Sequence, residues 1–203
     1  MWVVKLGGSL LGAAELRPWL QTLAQHSDGR VVIVPGGGLF ADAVREAQGA
    51  SGVDDRLAHR LALLAMDQYG WLLSGLCPDL VVASSELEIA ERGWQHRAIV
   101  WLPSRMALAD DTIPASWSVT SDSLAAWLAR TVAAERLVLV KSALSAVRMA
   151  PAAQLSAAGV LDPAFEEFSA ALQCPIHVVH KSVHRAFADA LARGAEMPGT
   201  LVT

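Results

Sequence analysis

Short apolar runs alternate with helix-patterned segments from one end of the chain to the other, and a chain written this way has few ways to bury itself. The runs fit strands at 2–5, 30–34, 79–83, 98–102, 136–141, 175–180 and 200–203. Helices fit near 13–26, 38–48, 54–74, 85–92, 121–133, 163–172 and 183–193. Such a succession predicts an α/β fold with a largely parallel sheet covered on both faces. The helix after Asp54 carries the clearest pattern: Leu57, Leu61, Leu64 and Leu72 share one face, while Arg56, Arg60 and Asp67 share another. Segment 103–119, with Pro103 and Pro114, reads as a loop between two lobes, held down by Trp117. The alanine-rich stretch around 150–158 reads as a shortened connection. With 203 residues, 53% of them hydrophobic, there is material for one domain or a compact two-lobed unit.

Where strands end matters, because ligands of open parallel sheets bind at the carboxyl ends. Only three lysines stand among 16 basic residues, and Lys5, Lys141 and Lys181 each close an apolar run. A compact ammonium aimed at a phosphate is not interchangeable with a planar guanidinium, so these three are candidate anion ligands.

The remaining composition mostly excludes. Sixteen basic and 20 acidic residues give a net charge of −4 without a basic block, which argues against nucleic acid as a partner. Cys77 and Cys174 fit neither a zinc spacing nor a disulfide framework, as expected of thiols in a reducing cytoplasm. The chain opens directly on a strand, without the pattern of a signal peptide, and no run approaches the length of a membrane span. A cytoplasmic protein is expected.

Two glycine clusters follow strands and open helices. In Lys5-Leu6-Gly7-Gly8-Ser9, adjacent glycines let backbone approach a ligand, and successive N–H groups there converge on phosphate oxygens at a helix start. Glycine also serves strand-to-helix turns for geometry alone. Pro35-Gly36-Gly37-Gly38 repeats the arrangement with three consecutive glycines, which favours an anion site over a purely structural explanation. Gly36, Gly38 and Ala41 also match the spacing of a dinucleotide fingerprint, but no strand ending in an acid follows, and Asp54-Asp55 read as a helix cap. A Walker loop fails because no glycine precedes a lysine. A third constellation, Thr120-Ser121-Asp122-Ser123, reads as a helix N-terminus, where Asp122 is favoured by the dipole. A carboxylate between two lysines would also hold them for phosphoryl transfer, which demands positioning and charge stabilisation above all.

Taken in order, Lys5-Leu6-Gly7-Gly8-Ser9, Pro35-Gly36-Gly37-Gly38, Ser121-Asp122-Ser123-Leu124-Ala125 and Gly199-Thr200-Leu201-Val202 resemble the amino acid kinase family. The resemblance implies a three-layer αβα sandwich around a mainly parallel sheet of about eight strands. It further implies a single domain over 1–203, with an acceptor lobe over about 1–115 and a nucleotide lobe over about 116–203. By position it implies that Lys5 meets the transferred phosphoryl group, that Gly7, Gly8 and Ser9 lie beside the phosphates of ATP, and that Gly36, Gly37 and Gly38 line the acceptor site. Asp122 would orient the catalytic lysines, His59 would border the acceptor, and Mg²⁺ would arrive with ATP rather than in a protein cage. A homo-oligomer acting on a small-molecule phosphoryl acceptor is expected, with neither nucleic acid nor membrane as partner.

Two departures mark this chain. Lys141-Ser142-Ala143-Leu144-Ser145 replaces the family's Asp-Gly-Val-Tyr-like segment, so its base and ribose contacts do not carry over. The Gly-Gly-Met-x-x-Lys segment that bears a second catalytic lysine is absent, and Ala158-Gly159-Val160-Leu161-Asp162 stands roughly in its place. Lys141 is the expected substitute, at both the catalytic and the nucleotide site, with Lys181 the other strand-end lysine. The short length and the segment from Asp54 to Tyr69 look most like a subgroup related to the aminomethylfuran phosphate kinase of methanofuran biosynthesis, a part of one-carbon metabolism. That likeness implies a phosphate-monoester acceptor, which arrives ionised and needs no general base. A kinase for a carboxylate acceptor and a noncatalytic nucleotide-binding subunit are the alternatives. His177, His180 and His184 are not expected to gather on a metal, since strand residues three apart face opposite ways. The seven tryptophans are scattered and expected in packing.

Overall fold

The computed structural model describes residues 1–143 and 147–203. Among them the chain runs β1 (Trp2–Leu6), α1 (Leu16–His26), β2 (Val31–Pro35), α2 (Gly38–Ser51), α3 (Asp55–Leu76), β3 (Leu80–Ala83), α4 (Glu86–Trp94), β4 (Ala98–Trp101) and α5 (Ser104–Ala107). It continues through α6 (Ser121–Thr131), β5 (Arg136–Lys141), β6 (Met149–Ala150), α7 (Ala152–Ala157), α8 (Phe165–Ser169), β7 (Ile176–His180), α9 (His184–Arg193) and β8 (Thr200–Val202).

The strands join one sheet in the order β3-β4-β2-β1-β5-β7-β8-β6. From β3 to β7 all neighbours are parallel; β8 runs against β7, and β6 follows the direction of β8. The strands read as unbroken apolar runs because each buries both faces. Val3, Val32, Val34, Leu137 and Leu139 pack on one side with α6 and α8, whereas Val4, Val31, Ile33, Val138 and Val140 pack on the other with α1 and α9. Each layer therefore has its own core, and the sheet between them is the expected α/β sandwich.

Connectivity places the site. From β1 the chain builds outward through β2 to one edge, and β5 then returns to the other side of β1. That reversal opens a crevice at the carboxyl ends of β1 and β5, where ligands of such sheets bind. Lys5 and Lys141 end up on these two neighbouring strands, in a register that pairs Lys5 with Leu139.

Several expectations need correction. On α3 the buried face is Ala58, Leu63, Met66, Tyr69 and Leu73, while Leu57 and Leu64 are each 43% exposed. Counting leucines alone misplaced the face, because the close packing is made by small residues: a Cβ on Gly70 would crowd Leu102, Val100 and Pro35. Asp67, expected on the solvent side, turns inward and accepts hydrogen bonds from the backbone N–H and the hydroxyl of Ser104. Burial pushes its carboxyl upward against those bonds. The 150–158 connection is instead the two-residue β6 followed by α7, both too short to show a period. Segment 103–119 contains the single-turn α5, and it packs as expected: the Trp117 indole N–H donates to Gln48 Oε1 at 2.6 Å. Trp19 and Trp101 are fully buried, but Trp71 and Trp94 are exposed.

Candidate active site

Asp122 is the centre of the constellation. It lies in the first turn of α6, 2% exposed, with Lys5 Nζ at 2.7 Å from one carboxylate oxygen and Lys141 Nζ at 2.5 Å from the other. Burial alone would raise its carboxyl, but the charge of Lys5, then that of Lys141, outweighs burial and holds it down to about 2. For Lys141, burial and then the neighbouring Lys5 charge pull the ammonium below its usual value, with Asp122 opposing. Two ammoniums are thereby brought side by side on one buried carboxylate, where an incoming anion would meet both.

A second carboxylate, one that sequence reasoning missed, holds this centre in place. Asp162 accepts from the Thr120 hydroxyl at 2.5 Å and from the N–H groups of Thr120, Asp122 and Ser123 at 3.0, 3.1 and 2.9 Å. It thereby caps α6 from forty residues away, and the side chain of Thr120, the local cap candidate, takes no capping bond. Burial, followed by the charge of Asp122, raises the Asp162 carboxyl. The segment from Ala158 to Asp162 thus supplies an acid beneath the centre. No local pattern announces a cap so remote. Replacing Asp162 with alanine orphans the buried N–H groups of Asp122 and Ser123 and the half-buried one of Thr120, and a loss of about 1–3 kcal/mol in unfolding free energy is expected by denaturant titration, larger than for Thr120→Val.

The glycine loops have a structural reason as well as a chemical one. They meet backbone to backbone: a Cβ on Gly8 would overlap the N and Cα of Gly38, and one on Gly36 would overlap the N of Gly8. Gly38 also sits at φ +53°, which only glycine adopts at little cost. This contact closes one end of a cavity of about 310 Å³ lined by Gly8, Ser9, Gly37, Gly38, His59 and Ser121. Gly7 and Gly36 stand just behind that lining. Burial keeps the His59 imidazole below its ordinary pKa.

Toward the other side, the Ser9 and Ser142 hydroxyls are 2.9 Å apart, and His180 Nε2 lies 2.9 Å from the Ser142 carbonyl. The turn after β5 is thus tied to the first glycine loop. Leu144 and Ser145, the rest of that departure, lie outside the described residues. Lys181 is not part of the centre: its ammonium pairs with Glu15 at 3.3 Å. Burial, with the Arg136 charge adding to it, takes His177 down to about 4, and the described residues hold no group of three or more His, Cys, Asp or Glu able to take a metal ion. Nor is any described helix long and apolar enough to cross a membrane.

A sequence model described as the amino acid kinase family matches residues 1–143. A curated relative from Methanocaldococcus jannaschii, (5-(aminomethyl)furan-3-yl)methyl phosphate kinase, is 32% identical over 141 residues, 68% of this chain and 64% of the relative's length. Uridylate kinase from Archaeoglobus fulgidus superposes with a TM-score of 0.73 at 19% identity, covering 100% of this chain and 99% of that one. UMP kinase from Bacillus anthracis gives 0.74 at 16% identity, covering 100% and 95%. These two show the fold, and the match over most of the sequence leads to one conclusion: the chain belongs to the amino acid kinase family.

Proposed function

We propose that this protein is an ATP-dependent small-molecule kinase whose acceptor is a phosphate monoester, giving a diphosphate product. The observation that carries the reading is the pair of ammonium groups converging on one buried carboxylate at the sheet's crevice, beside a glycine-walled cavity. An oxygen of the acceptor phosphate attacks the γ-phosphorus in line as the bond to the bridging oxygen of ADP breaks. Lys5 and Lys141 stabilise charge on the moving phosphoryl group and the leaving oxygen, and Asp122 keeps both ammoniums aimed. Gly7, Gly8 and Ser9 serve the nucleotide phosphates; Gly36, Gly37 and Gly38 serve the acceptor. The acceptor occupies the lobe of about 1–115, and the nucleotide that of about 116–203.

The residues present fit a polyphosphate, since two ammoniums converge there and the backbone beside them is free of side chains. Mg²⁺ bound with ATP supplies further neutralisation of phosphate charge. A phosphate acceptor is ionised already and needs no general base. The methanogen relative acts, by its name, on a phosphate monoester, which supports methanofuran-type cofactor synthesis as the setting. Free Cys77 and Cys174 agree with the cytoplasm. Leu57, Leu64 and Trp71, at intervals of seven along α3 and exposed, support a homo-oligomer.

The test is ADP release by the purified protein with ATP and Mg²⁺, across phosphomonoesters, alcohols and carboxylates. Release dependent on a phosphomonoester is expected. Release with carboxylates alone would favour the carboxylate-kinase reading, and calorimetric ATP binding with no release would favour a noncatalytic subunit.

A further inference from the structure

The end of the cavity away from the glycine loops has its own chemistry. Asp42, Arg45, Asp55, His59 and Trp117 line it. Arg45 is already satisfied: its guanidinium pairs with Asp42 at 2.9 Å and lies 4.3 Å over the Trp117 ring. Asp55 is different. Among the described residues no cation pairs with it, and its only hydrogen bond there is from the Gln48 side-chain amide to Oδ1 at 2.8 Å. Gln48 is fixed in turn by the Trp117 indole, which donates to Oε1 at 2.6 Å. One carboxylate oxygen is thus held while the other remains open, on an exposed side chain in the first turn of α3 at the cavity's edge.

Charge at this end sums to one negative. Arg45 cancels Asp42, Asp55 stands uncancelled, and burial disfavours the charged form of His59, one helical turn beyond it. A second anionic group on the acceptor, such as an amino acid's carboxylate, would meet repulsion there. A cation would be drawn in. Leu63, Met66, Val119 and Leu124 also line the cavity and make that part of its wall apolar.

Resting on the kinase reading above, we propose that Asp55 is the specificity-determining residue of the acceptor site and takes an ammonium at the opposite end of the acceptor from its phosphate. The acceptor class is then a compact aminoalkyl-bearing ring with a phosphomonoester arm, and Gln48 and Trp117 act as positioning residues for Asp55.

Two phosphomonoesters test this, (5-(aminomethyl)furan-3-yl)methyl phosphate and its des-amino analogue (5-methylfuran-3-yl)methyl phosphate. The wild type is expected to favour the amine in kcat/KM by about 10- to 100-fold, the range for a hydrogen bond between charged groups. Asp55→Asn should collapse that ratio to within about threefold of unity, whereas Asp55→Glu, which keeps the charge, should retain a preference. Misfolding would lower both rates without erasing their ratio. A wild type indifferent to the amine, or Asp55→Asn with the ratio intact, overturns the assignment. Calorimetric binding of the same pair without nucleotide separates the two readings. Amine-selective binding without turnover keeps Asp55 and removes the kinase. Turnover without amine selectivity does the reverse, and failure of both compounds to bind or turn over removes both.

Discussion

Lys5→Ala is expected to lower kcat by about 10³-fold or more while the protein still folds. Lys5 sits within a central strand, 5% exposed, and its ammonium reaches Asp122 at 2.7 Å. Truncation removes that charge from the place where the phosphoryl group would pass. Asp122 keeps Lys141 as a partner, so the remaining ion pair is one against one rather than an orphaned charge. Single-turnover kinetics, with ATP binding followed by calorimetry, distinguishes lost chemistry from lost nucleotide. Near-normal turnover by a folded variant would remove Lys5 from the mechanism. Lys5→Arg should not restore the rate, because a planar fork does not present its charge as a point at the same distance.

Asp122→Asn is expected to be the more damaging change. It leaves two buried ammoniums without the carboxylate they both touch, Asp162 being the remaining negative charge close by, and breaking a buried pair from one side costs about 3–5 kcal/mol. One lysine should escape by losing its proton, since burial and the other cation already push Lys141 that way. The basic limb of the activity profile should therefore move to lower pH, because the charged form is lost sooner. Thermal unfolding across acid pH gives a second readout. With the folded carboxyl held at about 2, Asp122 contributes stability that is complete above the ordinary carboxylate range, near 4, and lost as pH falls from there toward 2. The wild type should lose stability through that window by more than Asp122→Asn does. Parallel acid curves would mean that the carboxylate is not held as the geometry requires.

The Asp122 centre was legible in the sequence because each member sits at the end of a local element. Lys5 and Lys141 close apolar runs, and Asp122 falls in a helix's first turn after small polar residues. Lys181 met the same strand-end criterion and still pairs with Glu15 instead. What separates them is strand order, because β1 and β5 are neighbours at the reversal while Lys181 follows β7 on the turn leading to α9. Asp162 illustrates the opposite limit. Its four bonds to the start of α6 cross about forty residues, and its own segment carries only a short helix and a turn.

The face of α3 failed for a related reason. Hydrophobic periodicity finds the axis of an amphipathic helix, but which side is buried depends on how closely the neighbouring layer approaches. Ala58 and Gly70 lie inward because they permit that approach, and Leu57 and Leu64 are left outside. The glycine loops show both contributions at once. Their positions after β1 and β2 are plain in the sequence, yet their mutual contact, in which Gly8 and Gly38 touch through backbone, exists only when the strands lie side by side.

By itself, then, the sequence determined the α/β class, the strands with two buried faces, and the candidates for the centre, three strand-end lysines and an acid in a helix's first turn, since these follow from local periodicity and strand-end position. Tertiary structure alone decided which lysines share that carboxylate, which acid caps the helix beneath it, and which carboxylate faces the cavity without a cation. Those outcomes depend on strand order and on distances between segments far apart in the chain, and side-chain chemistry at one position carries no record of which partner packing will bring to it.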